Sequence, residues 1–173
     1  MTPAQPVTWS DLSAEDLDVG TLYDVLALRS AVFVVEQECA YQDPDGLDLL
    51  AGTRHLLGRR DGIAAYARLL APDVGPDVGP GTVVPASERS SSERSAPRIG
   101  RVIVNSAGRG QQLGRRLMER AIASCEQHWP GQPIELGAQA HLTGFYRSLG
   151  FETVGEPYIE DGIPHVHMRR LAG

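Results

Sequence analysis

The sequence predicts an α/β domain from the pattern of its apolar residues. Apolar residues alternate along the chain between short β-branched runs and longer segments with helical spacing. The clearest case is residues 98–128, which have the pattern of a strand, a glycine-bearing turn and a helix. With 173 residues and 42% hydrophobic composition, the chain is long enough for one domain, 1–173, with one core.

The N-terminal part of the chain is predicted to form a short strand followed by a helix. Residues 7–9 have a strand pattern, and Ser13–Asp16 and Thr21–Asp24 are both candidate capping boxes for the helix. Helical spacing then continues until about Val34. From Ser30 to Thr53 there is no lysine or arginine, but there are five carboxylates: Glu36, Glu38, Asp43, Asp45 and Asp48. Such a run is usually a solvated loop, and the alternative is a wall that attracts a cationic acceptor.

Two strands and a long insert come next. Residues 54–58 and 63–70 are predicted strands, joined by a turn whose Asp61-Gly62 is typical of a hairpin. Residues 72–97 contain a repeated Pro-Asp-Val-Gly and a serine-rich stretch. Because so few apolar groups cannot offset the entropy of ordering, we expect this insert to be mobile. A surface loop is the simplest interpretation, and a regulatory or partner-binding role is the alternative.

The turn after the predicted central strand, residues 98–105, has the features of an anion site. Gly108, Gly110 and Gly114 lack side chains where a helix begins with unpaired N–H groups. Residues 98–120 carry six arginines and one carboxylate, in a chain with a formal net charge of -6. Backbone donors, the helix dipole and this positive charge together predict a phosphate-binding turn. The spacing of a P-loop or of a dinucleotide-binding loop is absent.

The C-terminal part is predicted to contain a strand, a short helix and a final extended stretch. Pro130–Pro133 ends the preceding helix and leads into a strand at 134–138. Residues 141–149 then form a short helix that ends at Gly150. His165 and His167 lie on one face of the last strand, near Asp161, but two ligands at this spacing are too few for a metal site.

Four segments resemble the GNAT N-acetyltransferases. Arg109-Gly-Gln-Gln-Leu-Gly114 resembles the family's pyrophosphate loop, although Gln112 stands where the family prefers glycine. Residues 29–41, with Asp45, Asp48 and Arg54-His-Leu56, resemble the N-terminal signature of the ElaA-type branch. Residues 136–151 and 158–168 resemble the later blocks of the same family.

This resemblance implies the GNAT fold and an acetyltransferase activity. The fold would be a mixed, mainly antiparallel sheet of six or seven strands, with splayed central strands and flanking helices. The reaction would be direct transfer of the acetyl group of acetyl-CoA to a primary amine of a small molecule or peptide, without a metal. The alternative is a non-catalytic acyl-CoA-binding sensor or interaction module, because a fold does not establish a function.

The resemblance also implies roles for individual residues. Tyr146 would be the acid for the departing thiolate, and a backbone N–H near Val104 would polarise the thioester carbonyl. The resemblance does not assign the base: Glu36, His55 and Glu135 are the candidates in the sequence, and a water relay could replace a dedicated side chain. The expected cofactor-binding residues are Val102, Ile103, Val104, Arg109, Gly110, Gln111, Gln112, Leu113, Gly114, Arg115, Gln139 and Tyr146.

Composition excludes some partners. The acidic balance disfavours nucleic-acid binding. No apolar run approaches the ~20 residues of a membrane span, and the N-terminus lacks the pattern of a secretion signal. We therefore expect a cytoplasmic protein without a membrane partner, and an exposed sheet edge would be compatible with a homodimer.

Overall fold

The protein forms a seven-stranded sheet flanked by helices, in a computed structural model that describes residues 5–72, 74 and 96–173. The strands are β1 (Thr8–Ser13), β2 (Arg54–Arg59), β3 (Ile63–Leu70), β4 (Arg98–Val104), β5 (Ile134–Gln139), β6 (Glu152–Glu160) and β7 (Ile163–Arg170). The α-helices of these residues are α1 (Val19–Arg29), α2 (Leu113–His128) and α3 (Thr143–Arg147). Most of the predicted insert at 72–97 lies outside the described residues.

The sheet is mixed and mainly antiparallel, as predicted. Its strand order is β1-β2-β3-β4-β5-β7-β6, and only the pairing of β4 with β5 is parallel. These two central strands share a single residue pair, Arg98 with Glu135, and diverge beyond it. The predicted hairpin turn Asp61-Gly62 joins β2 to β3, with both residues at positive φ. The expected GNAT-like sheet with splayed central strands is therefore confirmed.

Helices cover the two faces of the sheet unequally. The predicted apolar stripe of α2 is buried on one face: Leu113, Leu117, Met118, Ala121, Ile122 and Cys125. On the other face, α1 packs over β2, β3 and β4, where Val25 contacts a cluster that includes Leu57, Tyr66 and Ile103. Among the described residues, α2 therefore covers its face as far as β7, whereas the cluster under α1 does not extend to the far strands of the opposite face.

α1 begins and ends differently from the prediction. Neither candidate capping box starts the helix, because its N-cap is Asp18, whose Oδ1 accepts a hydrogen bond from the Thr21 amide at 2.9 Å. Ser13 instead closes a turn with Asp16. At its other end the helical segment stops at Glu36, close to the predicted end, but from Ser30 onward it is a π-helix, which was not predicted. This extension carries Glu36 to the loop before α2.

The segment after the π-helix is fixed to the sheet by buried ion pairs. Arg29 has no exposed surface, and its guanidinium contacts Asp43 at 2.7 Å and Asp48 at 2.5 Å. Arg68 of β3, which is 3% exposed, contacts the same Asp48 carboxylate at 2.8 Å. Because one carboxylate serves two buried guanidinium groups, removal of any member would leave an uncompensated charge.

The predicted acidic wall is therefore wrong for three of its five carboxylates. Arg101 of β4 contacts Asp43 at 2.9 Å and Asp45 at 3.2 Å, and Arg68 also contacts Asp45 at 2.5 Å. Arg101 sits at a β-bulge with a φ of 51°, which turns its side chain toward these aspartates. The arginines that neutralise Asp43, Asp45 and Asp48 lie 14 to 58 residues away in sequence, so the local charge pattern did not reveal them.

Replacement of Asp48 by asparagine should lower the free energy of unfolding by about 3 kcal/mol, because two buried guanidinium groups lose their shared carboxylate. Urea denaturation at pH 7 measures this difference. Glu135→Gln is a matched control, since Glu135 pairs with the half-exposed Arg169, and a surface pair contributes about 1 kcal/mol or less. Equal destabilisation by the two substitutions would contradict a stabilising role for the network.

Acid should weaken the same network. Burial alone would raise the pKa of Asp45, but the hydrogen bond and charge of Arg68 lower it to about 2. An unfolded aspartate titrates near pH ~3.9, so its stabilising contribution is present above that pH and is lost as the pH falls through the folded pKa. Urea midpoints measured from pH 5 to pH 2 should fall steeply in the wild type and less steeply in Asp45→Asn. Parallel curves would contradict the assignment.

Candidate functional site

An open notch lies between β4 and β5. The strands pair at Arg98 and Glu135 and diverge toward Val104 and Gln139. Between β4 and β5 no other pair forms in the described part of the chain, so the backbone of Val102–Val104 has no strand partner on the notch side, and only Arg109 donates to the Val104 carbonyl there among the described side chains. Such groups require a partner from a ligand or from water, because unpaired buried backbone groups are costly.

The turn at the end of β4 is held by a residue that the sequence argument did not select. Asn105 accepts a hydrogen bond from the Gly108 amide at 2.9 Å, and its side-chain amide donates to the Ile63 carbonyl at 3.2 Å. A β-carbon at Gly108 would approach Leu113 Cδ1 to 2.8 Å. Gly108 is therefore required by packing rather than by an approaching ligand. The signal that could have identified Asn105 is the preference of asparagine for caps.

Next, the loop leads into α2 with its backbone amides available. Gly110 and Gln112 both have positive φ, at 75° and 58°. Gln112 thus adopts the left-handed conformation for which glycine is the usual residue, and this agrees with the family's preference at that position. None of the described side chains caps α2, and the hydrogen bond from the Arg116 amide to the Gln112 carbonyl begins the helical series. The amides before Arg116 are the donors that a phosphate would accept from.

The arginines near this loop are fewer than the sequence suggested. Arg109 contacts Glu36 at 2.5 Å and donates to the Val104 carbonyl at 3.2 Å. Arg115 donates to Ser148 of the segment after α3 at 2.6 Å. Arg101, by contrast, points into the buried ion-pair network. The clustering of arginines in the sequence therefore predicted more positive charge at the turn than the structure places there.

Tyr146 lies on α3, and the loop places α3 beside β4. A β-carbon at Gly114 would lie 3.8 Å from Val104 and 4.0 Å from Phe145, so these elements meet at the start of α2. The Tyr146 ring is 6% exposed and packs edge-on against Phe145 and Phe151. Burial raises the pKa of Tyr146 to about 12. Its hydroxyl is therefore protonated at neutral pH and can donate a proton.

His55 does not have the environment of a catalytic base. It has no exposed surface, and its ring nitrogens lie 2.9 Å from the Tyr66 hydroxyl and 2.8 Å from the Asp48 carbonyl. Because a carbonyl only accepts, Nε2 carries the hydrogen and Nδ1 accepts from Tyr66. Burial also lowers the pKa of His55. Both nitrogens are thus occupied in the core, and the structure does not support the predicted role.

The two carboxylate candidates occupy different ends of the notch. Glu135 lies at its closed end and is bound by Arg169, so the structure does not support it as a base either. Glu36 lies at the open end, is 43% exposed and pairs with Arg109. Gln139 also lies at the open end, where its amide is 3.4 Å from the Gln37 side chain. The end of the π-helix therefore faces the end of β5.

The described residues contain no group of three or more His, Cys, Asp or Glu side chains arranged to hold a metal ion. His165, a candidate in the metal hypothesis, hydrogen-bonds through Nδ1 to the Ile163 carbonyl at 2.8 Å. Among the helices of the same residues, none is long and apolar enough to cross a membrane.

Known proteins are similar to this chain in sequence and in fold. Residues 84–172 match the family described as the acetyltransferase (GNAT) domain. Protein ElaA of Escherichia coli strain K12 is 48% identical over 165 residues, which covers 95% of this chain and 96% of ElaA.

Solved structures agree with the sequence comparison. The crystal structure of E. coli ElaA superposes with a TM-score of 0.79 at 45% identity, covering 95% of this chain and 99% of that one. The crystal structure of an acyl-CoA N-acyltransferase from Pseudomonas aeruginosa gives a TM-score of 0.81 at 44% identity, with the same coverage. With its splayed sheet and matching loop, the chain therefore belongs to the ElaA family of the GNAT acyl-CoA N-acyltransferases.

Proposed function

We propose that this acyltransferase moves the acetyl group of acetyl-CoA directly to a primary amine of a small molecule or peptide. The observation that supports this best is the unpaired edge of β4 in the notch, with Tyr146 on the adjoining α3. Acetyl-CoA is a substrate of this reaction, and its thioester supplies the activated acetyl group. No nucleophilic serine or cysteine is needed for a direct transfer.

The residues at the notch fit acetyl-CoA. The pantetheine arm would extend the sheet by pairing with the backbone of Val102, Ile103 and Val104. Its pyrophosphate would accept hydrogen bonds from amides of the uncapped α2 start, in the stretch Gly110, Gln111, Gln112, Leu113, Gly114 and Arg115. Arg109 would add charge once it leaves Glu36, and Gln139 would border the open end.

Tyr146 and the β4 backbone would have separate roles in the transfer. A backbone N–H near Val104 would stabilise negative charge as it develops on the carbonyl oxygen. Tyr146 would then donate its proton to the departing sulfur, and its raised pKa keeps that proton in place beforehand. Both groups act at the end of β4, where α2 and α3 meet it.

The acceptor is proposed to be an amine that is a cation in water. Of the five carboxylates in the acidic segment, Glu36 and Glu38 remain exposed, so these two would attract it. Asp43, Asp45 and Asp48 cannot serve, because arginines neutralise them. β6 lies at the edge of the sheet with most residues exposed, and it is where we would expect a homodimer to form.

Tyr146→Phe should leave the dissociation constant of desulfo-CoA unchanged and lower kcat by about 10²–10⁴. Phenylalanine keeps the packing against Phe145 and Phe151 and removes only the proton donor. Calorimetric titration measures binding, and thiol release with a library of primary amines measures turnover. Tyr23→Phe on α1 is the matched control, because Tyr23 is 74% exposed.

Each outcome of this experiment has a distinct meaning. Loss of turnover with retained binding in Tyr146→Phe alone would support both the activity and the acid. Binding of CoA by the wild type without thiol release from any amine would favour the sensor alternative. Absence of CoA binding by the wild type would contradict the proposal.

Gln112→Gly should retain the wild-type affinity for CoA within about twofold, because this site uses the conformation of residue 112 rather than its side chain. Gln112→Val should lower the free energy of unfolding by about 1–2 kcal/mol, because a β-branched residue resists positive φ. Urea denaturation and calorimetry of both variants test this pair of statements. A large loss of affinity in Gln112→Gly would instead assign a direct contact to the glutamine side chain.

A further inference from the structure

The face of β5 and β7 opposite α2 is polar and open. Ala138 of β5 and Val166 of β7 belong to the core that packs on α2. Because successive side chains of a strand point to opposite faces, Gln139 and His165 lie on the other face. Among the described residues, the cluster that packs under α1 on that face involves β2, β3 and β4, with Leu12 of β1, and no residue of β5, β6 or β7. His167 lies on the same face of β7 and is exposed, so this part of the face is open to solvent.

Three side chains form a row across this face at the open end of the notch. Gln139 of β5 is paired with His165 of β7, and His165 is paired with Tyr158 of β6. Directly paired residues of antiparallel strands share a face, so the three side chains are neighbours. Gln139 also contacts Gln37, just after the π-helix. Gln139, at one end of the row, therefore borders the notch where the acetyl group would lie, and His165 is its neighbour on β7.

His165 is held in one orientation and one tautomer. Its Nδ1 lies 2.8 Å from the Ile163 carbonyl, so Nδ1 carries the hydrogen and Nε2 is the basic nitrogen of the neutral ring. The side chain is 13% exposed, and the Tyr158 ring stacks on it with centroids 5.7 Å apart. Nε2 is 3.9 Å from Glu160, beyond hydrogen-bond distance, and has no closer partner among the described residues.

Tyr158 keeps this arrangement in place. It stacks on His167 at 4.5 Å as well as on His165, and its hydroxyl reaches across β7 to Gly137. A β-carbon at Gly137 would lie 2.7 Å from that hydroxyl, so only glycine leaves room for it. The titratable groups around His165 are thus Tyr158 and Glu160 of β6 and His167 of β7. Its β5 neighbour Gln139 contacts the neutral Gln37, and the ion pair of Glu36 with Arg109 lies at the end of the π-helix.

We propose that His165 is the catalytic base that deprotonates the acceptor amine, which enters over the open face of β5, β7 and β6. This inference rests on the proposed acetyl transfer. It assigns the base to a residue on the face opposite Tyr146, so that the amine enters on one side of the notch and the thiol is protonated on the other. Glu160 would attract the ammonium form of the amine to the same position.

The step balances as follows. Nε2 of His165 takes one proton from the ammonium group, and the freed nitrogen lone pair forms the C–N bond at the thioester carbon. The C–S bond then breaks, its electron pair goes to sulfur, and the sulfur takes the proton of Tyr146. The nitrogen, which still carries one excess proton, returns one to Tyr146. The proton on His165 passes to water, so one proton is released for each amide formed.

A bisubstrate analogue tests the position of His165 without requiring turnover. CoA whose sulfur carries a carboxymethyl group, joined as an amide to butylamine, presents an N–H where the amine would attack. His165→Phe keeps a ring that can stack on Tyr158 but cannot accept a hydrogen bond. We expect it to weaken binding of the analogue about tenfold and to leave CoA binding unchanged. His128→Phe, at the end of α2, is the matched control and should bind both ligands as the wild type does.

The rate of turnover with different amines tests whether His165 acts as a base or only contributes to the shape of the site. For alkylamines that release thiol, His165→Phe should lower kcat/KM by about 10²–10⁴ at neutral pH. For an aromatic amine, which is already neutral, the loss should be much smaller. Equal losses for both amines, or equal affinity of the two proteins for the analogue, would overturn the role of His165. If the wild type binds no CoA, the proposed function itself fails, and this inference fails with it.

Discussion

The single residue pair between β4 and β5 is the constraint on which the rest of the site depends. β5 pairs with β7 over its whole length, from Ile134 to Gln139, and therefore follows β7. β4 follows β3 and is turned by the bulge at Arg101. The two halves of the sheet thus separate beyond Arg98 and Glu135, and the backbone groups of β4 have no strand partner beyond that pair on the β5 side. In an enzyme that binds acyl-CoA, these groups are an edge to which the substrate can add as a strand.

The buried ion pairs determine where the helical layer sits relative to this edge. Arg29 joins the end of α1 to Asp43 and Asp48, and Arg68 and Arg101 join the same segment to β3 and β4. Buried pairs contribute little net stability compared with apolar packing, but a charge without its partner is costly. The network therefore acts mainly as a geometric constraint. It fixes the segment that follows the π-helix, whose end lies beside both the α2 loop and β5.

The two faces of the sheet present different chemistry to the notch. On the α2 face, Tyr146 is held among aromatic rings in an apolar environment that keeps its hydroxyl protonated. On the opposite face, His165 is held by a backbone carbonyl and by Tyr158, with one ring nitrogen unoccupied by the described residues. The proposed proton donor, Tyr146, and the proposed proton acceptor, His165, lie on opposite faces, which would suit a reaction in which one substrate loses a proton and the other gains one.

Local pattern determined much of this protein: the strands around Asp61-Gly62, the apolar stripe of α2, the glycine-bearing turn and the position of Tyr146 on a short helix. These features follow from residues close together in sequence, whose periodicity and turn preferences act locally. Only the tertiary structure decided that Asp43, Asp45 and Asp48 are neutralised and that His55 is buried. It also decided that β7 lies between β5 and β6, which brings His165 beside Gln139. Those outcomes depend on contacts between segments far apart in sequence, and a charge run or a lone histidine carries no local mark of its distant partner.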